Sequence, residues 1–493
     1  MAVPVAPSGI TRHSLGSCCY HLNFCWHISS LGLNPMNVVL ISTYDLGHQP
    51  FGLASPAAWL KRSDASVTCL DLTVEPLQVE TIKAAHLVAF YLPMHTATRR
   101  AVQLIRPVRQ LNPRAHLCAY GLYAPLNADY LKNLGIETLL GGEFEEGLVQ
   151  LYKTMEPWSS KSTQPLEISL PTISTARQRF LPPDRSDLPS LSKYPHLHRE
   201  PGVRQLVGYT EASRGCQHRC RHCPIVPVYQ GHFRVVQRDV VLEDIRQQVE
   251  VGAEHITFGD PDFFNGVGHS LEIVRSLHQH HPKLSYDVTI KIEHLLRYSS
   301  HLGTLRDTGC LFVTSAVESL NDHELRLLDK GHTRADFLKV VQRLRTLELP
   351  LSPTFIPFTP WTTRASYCDL LQILASENLV ESVSPIQLAI RLLIPAQSLL
   401  LQLPKVRTIL KEFDQKSLSY SWKHGDLSLE HLFDRVRQLV KTATSQGMSR
   451  SQIFKAIWSL AHCRDTHHDD IIPPIPIQIS RATIPFLEEP WYC

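Results

Sequence analysis

No stretch of the chain reaches the run of about 18 apolar residues that a membrane-spanning helix needs. The most apolar segments, Leu87–Leu92 and Gln387–Ile394, have strand length. The expectation is a protein in solution with no membrane partner. Charge of one sign is missing as well: 49 Lys and Arg against 46 Asp and Glu leave +3, without the basic excess that marks a nucleic-acid-binding chain. A secretory signal is missing too. The first 35 residues hold one charged side chain, Arg12, and the group Cys18, Cys19, Cys25 is interrupted by His21, Asn23 and His27, so neither a basic n-region nor an apolar h-region forms. The twelve cysteines lack the even spacing of a disulfide framework, and three crowd into residues 216–223, a pattern of metal or redox chemistry in a reducing compartment, expected to be the cytoplasm.

What is present is an alternation of short apolar runs with helical patterns. With 493 residues, 43 % hydrophobic and 19 % charged, the chain can bury more than one core, and at about 150 residues per domain it suggests about three domains. Residues 1–35 precede the first strand pattern, Met36-Asn-Val-Val-Leu-Ile, and are expected to lie outside the fold, with Met36 as the start. Residues 36–152 carry runs at Val38–Ile41, Val67–Leu72, Leu87–Leu92, His116–Gly121 and Thr138–Leu140, which predict a doubly wound parallel α/β sheet with ligands beyond its carboxyl edge. The Pro- and Ser-rich segment 153–200 predicts an extended linker. In 201–395 strands are expected at Leu206–Thr210, His255–Phe258, Tyr286–Ile292, Cys310–Val317, Pro353–Phe358 and Ile386–Leu392, about six βα units of a partial or full parallel barrel. A helical extension, 396–470, and a Pro-rich tail, 471–493, complete the plan.

Directly after the first barrel strand stands Cys216-Gln-His-Arg-Cys220-Arg-His-Cys223, a C-x3-C-x2-C run on a loop. Three thiolates so close can share one metal centre. Structural zinc takes four ligands, usually from two pairs, and no second pair follows: Cys310 and Cys368 stand alone. Three cysteines and an open fourth place suit an iron–sulfur cubane, whose free iron can take a chelating ligand.

This segment, over roughly Val207 to Ile394, resembles the radical S-adenosylmethionine (SAM) superfamily. The resemblance implies that Cys216, Cys220 and Cys223 hold a [4Fe-4S] cluster, and that SAM binds its free iron and is cleaved to a 5′-deoxyadenosyl radical. It also implies a reducing partner of flavodoxin or ferredoxin type and a small-molecule or other substrate that the sequence does not define. Further cofactor contacts follow from it: Gly259 and Asp260 in Phe258-Gly-Asp-Pro-Asp262 for the methionine amino group; Glu318 in Val317-Glu-Ser319; Lys291 and Glu293 at the end of the third strand; and Arg391 on the last strand. His222 stands where the family carries an aromatic residue beside the adenine, and its imidazole keeps a Cys3His zinc site open as an alternative.

The sheet at 36–152 resembles the cobalamin-binding domain of the cobalamin-dependent branch, through Gly141-Gly-Glu143-Phe-Glu145 and Gly47-His-Gln-Pro-Phe-Gly52, and makes cobalamin a candidate cofactor. The Asp-x-His-x-x-Gly signature is absent, since Asp45 and His48 are three apart and Gly52 follows four later. The closing Glu489-Pro-Trp-Tyr-Cys493, with Arg391-Leu-Leu-Ile-Pro, resembles a narrower family named for a Cys-Sec or Cys-Cys-Ala-Glu-Pro tail. That kinship makes Cys493 a candidate catalytic thiol and predicts a chain continuing through selenocysteine. Two other readings compete: a methylthiotransferase-like RNA modifier, which calls for an extra cluster or a basic RNA-binding domain, and a zinc-stabilised binding module without enzymatic activity.

Overall fold

The structure, a computed structural model, describes residues 35–155, 170–200, 202–463 and 474–475, with the backbone of 486–487. The leader and Cys493 lie outside the described residues. Residues 36 onward form one compact unit.

The first sheet contains β1 (Asn37–Ser42), β2 (Ser66–Asp71), β3 (Leu87–Tyr91), β4 (His116–Tyr120), β5 (Thr138–Gly142) and β6 (Ile173–Ser174), all parallel and in the order 2-1-3-4-5-6. Helices cover both faces, so β1 and β3 read as unbroken apolar runs rather than alternating ones. Two apolar clusters, one on each face, hold it together. The strand order reverses between β1 and β3, and their carboxyl ends open a crevice there.

β6 was not anticipated. It comes from the segment expected to be linker, which instead buries Phe180, Leu191, Tyr194 and Leu197. Arg185 of that segment bridges Asp244 and Gln49, at 2.7 and 2.8 Å. Proline and serine content carried no information on what the extended chain would lie against. The glycines of Gly141-Gly142 serve this pairing, because a Cβ on Gly142 (φ +73°) would lie 2.1 Å from the Ser174 carbonyl oxygen.

The second sheet runs β7 (Val207–Thr210), β8 (His255–Phe258), β9 (Ser285–Thr289), β10 (Cys310–Glu318) and β11 (Leu351–Phe355), parallel and in sequential order. The sixth strand expected at Ile386–Leu392 is not formed. Pro385–Leu388 is a 3-10 turn, and the edge carries a single parallel bridge, Phe358 with Arg391. Pro385 has no N–H for a ladder, and the side chain of Gln387 accepts from Phe355 N at 3.1 Å in place of a backbone carbonyl.

The extension at 396–470 is helical where apolar spacing placed helices, Leu427–Ser445 and Arg450–His462. Ahead of those two helices, however, it forms an antiparallel hairpin, β12 (Leu410–Asp414) and β13 (Ser419–Trp422). Among the described residues, no helix is long and apolar enough to cross a membrane.

Candidate active site

The cysteine loop leaves β7 and is gripped from three sides. Ser213–Gly215 pairs antiparallel with Phe233–Val235, and Cys216 N donates to His232 O at 3.1 Å, which closes the loop at its base. Arg221 N donates to Leu328 O at 2.9 Å, while its guanidinium caps the carbonyls of Arg326 and Leu327, tying the loop to the end of helix Asp322–Leu328. The short helix Val226–Tyr229, just past Cys223, inserts Val228 and Tyr229 into the core of the first sheet.

Burial pushes the Cys216 thiol up to about 11 and the Cys223 thiol up to about 12; each also feels the charge of Cys220, and Lys291 and Lys330 oppose the rise. Such thiols are protonated until a metal takes the proton's place.

Around the cysteines lie buried polar atoms without hydrogen-bond partners: Nδ1 of His222 and both ring nitrogens of His332. Burial, then the charges of Lys330 and Lys291, lower His332 to about 4, so its imidazole is neutral at pH 7. A polar ligand such as SAM satisfies this need, and the residues present fit it.

The predicted contact residues divide. Glu318 lies beside the loop as expected, its Oε1 3.1 Å from His222 Nε2 and 3.2 Å from Lys330 Nζ. Its backbone is left-handed (φ +71°) at a register shift between β10 and β11, a strained placement of the kind that clusters at ligand sites. His222 spends Nε2 on Glu318, which removes that nitrogen from a Cys3His zinc set. Lys291 is buried beside Glu293 at 3.2 Å. Asp260 points elsewhere: its oxygens accept from Ala212 N at 2.9 Å and Ser213 Oγ at 2.5 Å, so it braces the start of the cysteine loop. Arg391 is turned into the extension, bidentate to Glu430 at 2.8 and 2.9 Å and 3.7 Å from the ring centre of Trp422, with one face on the cavity described below.

Two predictions arise here. Burial would raise the Glu318 carboxyl, but the charge of Lys330 and the bond and charge of His222 outweigh it and hold the group down to about 2. A carboxylate lowered by folding adds stability above its unfolded value of about 4.5, and that stability disappears as pH falls from 4.5 toward 2. Urea midpoints of the protein are expected to drop over that window, and Glu318→Gln is expected to flatten the drop. Gly259 answers to packing: a Cβ there would lie 1.8 Å from the Tyr209 hydroxyl oxygen. Gly259→Ala is expected to destabilise by about 1–3 kcal/mol, as overpacking does. Truncating Tyr209 to alanine in the same chain should recover part of the loss in thermal melts.

A cavity of about 790 Å³ opens between the two sheets. Tyr44 after β1, Met94–Thr96 after β3 and Tyr123 after β4 line one side; His222 and Pro224 of the cysteine loop line another. The hairpin closes the third with Asp414, Ser417 and Tyr420, and His95 Nε2 meets the Ser417 carbonyl across it. Sequence reasoning missed this wall, because Leu410–Trp422 carries no chemical motif. His48 is away from the cavity, packed on Tyr209 at 4.8 Å and lowered to about 4 by burial.

A further group went unread. Arg214, at the base of the cysteine loop, is surrounded by Glu211 at 2.6 Å, Glu145 at 2.8 Å and Glu143 at 3.3 Å, with Phe51, Phe144 and Phe180 against its guanidinium. Glu143 and Glu145 are the run that resembles a cofactor motif; here they clamp the loop's base to the first sheet.

Residues 210–371 match the radical SAM superfamily. This chain carries a radical SAM domain. Hopanoid C-3 methylase of Methylococcus capsulatus is 23 % identical over 348 residues, 69 % of this chain and 65 % of that protein. tRNA-2-methylthio-N(6)-dimethylallyladenosine synthase of Methylacidiphilum infernorum is 28 % identical over 195 residues, 35 % of this chain and 40 % of that one. The chain thus spans less than two thirds of either curated relative. In fold it is similar to the cobalamin-dependent SAM radical enzyme OxsB solved with aqua-cobalamin (TM-score 0.65, 12 % identity, 83 % of this chain and 67 % of that chain). It is also similar to the radical SAM methyltransferase TsrM of Kitasatospora setae solved with cobalamin and a [4Fe-4S] cluster (TM-score 0.54, 15 % identity, 70 % of this chain and 73 % of that chain).

Proposed function

We propose that the protein is a radical SAM enzyme assisted by cobalamin. The observation that carries this reading is the juxtaposition of the cysteine triplet, two of whose thiols burial raises, with unpartnered buried ring nitrogens of His222 and His332, His222 also lining the inter-sheet cavity. Cys216, Cys220 and Cys223 hold the [4Fe-4S] cluster; Glu318, Lys291, His222 and His332 surround SAM; the carboxyl ends of β1, β3 and β4 receive the corrinoid. Bound together, these groups supply one-electron chemistry at carbon. The chain's own work is positional: the Arg221 and Asp260 braces hold the cysteine loop, Glu318 and Lys330 keep a fixed charge pair beside it, and the hairpin walls the cavity from solvent.

A flavodoxin- or ferredoxin-type protein delivers the electron, and the free state of Cys69, Cys118, Cys310 and the loop cysteines supports a reducing, cytoplasmic setting. The narrower kinship with the selenocysteine-tail family rests on its sequence resemblance. The near-neutral charge of the chain supports a substrate other than RNA.

The test is anaerobic reconstitution with iron and sulfide, reduction, and assay for 5′-deoxyadenosine from SAM, with and without hydroxocobalamin. Four irons, labile sulfide and deoxyadenosine are expected, with one corrinoid retained through gel filtration. Zinc without labile sulfide, and no deoxyadenosine, would overturn the reading in favour of a zinc-stabilised module.

A further inference from the structure

His218 sits on the cysteine loop, Asp262 just past the end of β8, and His294 in the helix Ile292–Arg297 after β9. Three separate elements thus deliver two imidazoles and a carboxylate to one point. Nε2 of His218 lies 3.3 Å, and Nδ1 of His294 2.8 Å, from Oδ2 of Asp262. Neither contact is aligned as a hydrogen bond, so all three atoms are buried without partners. Asp262 and His294 are each 1 % exposed at the side chain. Buried polar atoms facing one another unsatisfied call for a third party.

The surroundings are those of a metal site rather than of a hydrogen-bonded trio. Asp262 spends Oδ1 on Phe264 N at 3.1 Å, which turns Oδ2 alone toward the imidazoles, as a monodentate ligand requires. Each imidazole has an outer partner on its other nitrogen. Glu293 Oε2 stands 3.6 Å from His218 Nδ1, and the carboxamide of Gln217 meets His294 Nε2 at 2.7 Å. The structure sets Gln217 Nε2 against His294 Nε2, and the metal-binding tautomer of His294, protonated on Nε2, takes that amide turned so that its oxygen accepts. Such outer partners orient and strengthen ligating histidines. The three ligand atoms lie within 4.8 Å of one another, and side-chain adjustments of about an ångström bring them to the roughly 3.4 Å separation of a tetrahedron with zinc–ligand lengths of about 2.0–2.2 Å.

We propose that His218, Asp262 and His294 form a mononuclear site for a divalent transition metal, zinc by its nitrogen and oxygen donors, beside and separate from the cysteine triplet. Three protein ligands leave a fourth position for water or a substrate oxygen. The metal ties the cysteine loop to the ends of β8 and β9. His218 lies between Cys216 and Cys220, so the site is coupled to the geometry of the loop whatever reaction the loop supports.

The protein reconstituted with iron and sulfide is dialysed against one equivalent of zinc, and both metals are counted by mass spectrometry. One zinc beyond the iron is expected, with a zinc absorption-edge spectrum showing a nitrogen and oxygen shell at about 2.0–2.1 Å and no sulfur at 2.3 Å. Asp262→Asn and His294→Gln are expected to lower zinc content at least tenfold while iron is retained. Absence of zinc uptake, or zinc with a sulfur shell, overturns the proposal. So does zinc that both variants retain. Should the variants not fold, the absorption-edge spectrum of the unaltered protein still decides. An iron–sulfur protein without zinc overturns this site alone and leaves the radical reading intact; sulfur-bound zinc with no labile sulfide overturns both.

Discussion

Replacing any one of Cys216, Cys220 and Cys223 with alanine is expected to remove the iron–sulfur chromophore and to reduce deoxyadenosine formation at least a hundredfold, to the background of the assay. The size of the effect follows from how the thiols are placed. Cys220 is buried, Cys216 and Cys223 are raised by burial to about 11 and 12, and no further cysteine is in the loop to substitute. A site with two thiolates and a gap has neither the charge nor the ligand count to keep a cubane. The fold itself should survive, because the loop is held by backbone bonds and by Arg221, not by the thiols. Circular dichroism melts within a few degrees of the unaltered protein, together with lost iron, are the expected pair of results. Retained iron and retained activity would count against the ligand assignment.

Arg214→Met is expected to be the most destabilising single change away from the cysteines, at about 3–5 kcal/mol, the range for breaking a buried ion pair by removing one partner. Arg214 is the cation at the centre of Glu143, Glu145 and Glu211, in a pocket walled by three phenylalanines. Without it, three buried carboxyls face one another. Burial already raises Glu143 to about 7, with Arg214 opposing the rise and Glu145 adding to it. A carboxyl raised by folding stabilises below its unfolded value of about 4.5 and loses that contribution as pH climbs through 7. The variant's deficit should therefore be smaller at pH 5.5 than at pH 8, where the uncompensated carboxylates must ionise. Denaturant titrations at both pH values measure this, and adding Glu145→Gln to the variant should recover part of the loss. A deficit independent of pH would mean that Arg214 matters for its packing on Phe51, Phe144 and Phe180 instead.

The five strands of the first sheet were legible because parallel strands covered on both faces are continuous apolar runs, and Val38–Ile41 or Leu87–Leu92 can hardly be anything else. The barrel strands followed for the same reason up to β11. The reading failed at Ile386–Leu392, where an apolar run at a barrel edge packs as a turn, and periodicity does not separate a buried turn from a short strand. It failed again at 170–200, since a Pro-rich composition excludes helices but says nothing about partners.

The site divides along the same line. The cysteine triplet was readable as a group because a single loop carries all three thiols, so spacing in sequence is spacing in space. Glu318 was readable because a strand end fixes where its side chain can go, even with its backbone in an unusual region. Asp260 and Arg391 also end strand-like runs, yet hydrogen bonds to Ala212 and Ser213, and an ion pair with Glu430, commit them elsewhere. The glutamates after Gly141-Gly142, part of a run that resembles a cobalamin-domain motif, are engaged by Arg214, a pairing that no local pattern announces.

Local pattern, then, carried most element types, the parallel α/β class and the gathering of three cysteines on one loop, because each depends on residues within a few turns of one another. Tertiary structure alone decided the cavity, the clamp on Arg214 and the meeting of His218, Asp262 and His294. Their members lie from tens to hundreds of residues apart, and only the packing of the two sheets and the closing hairpin brings such side chains within a few ångströms.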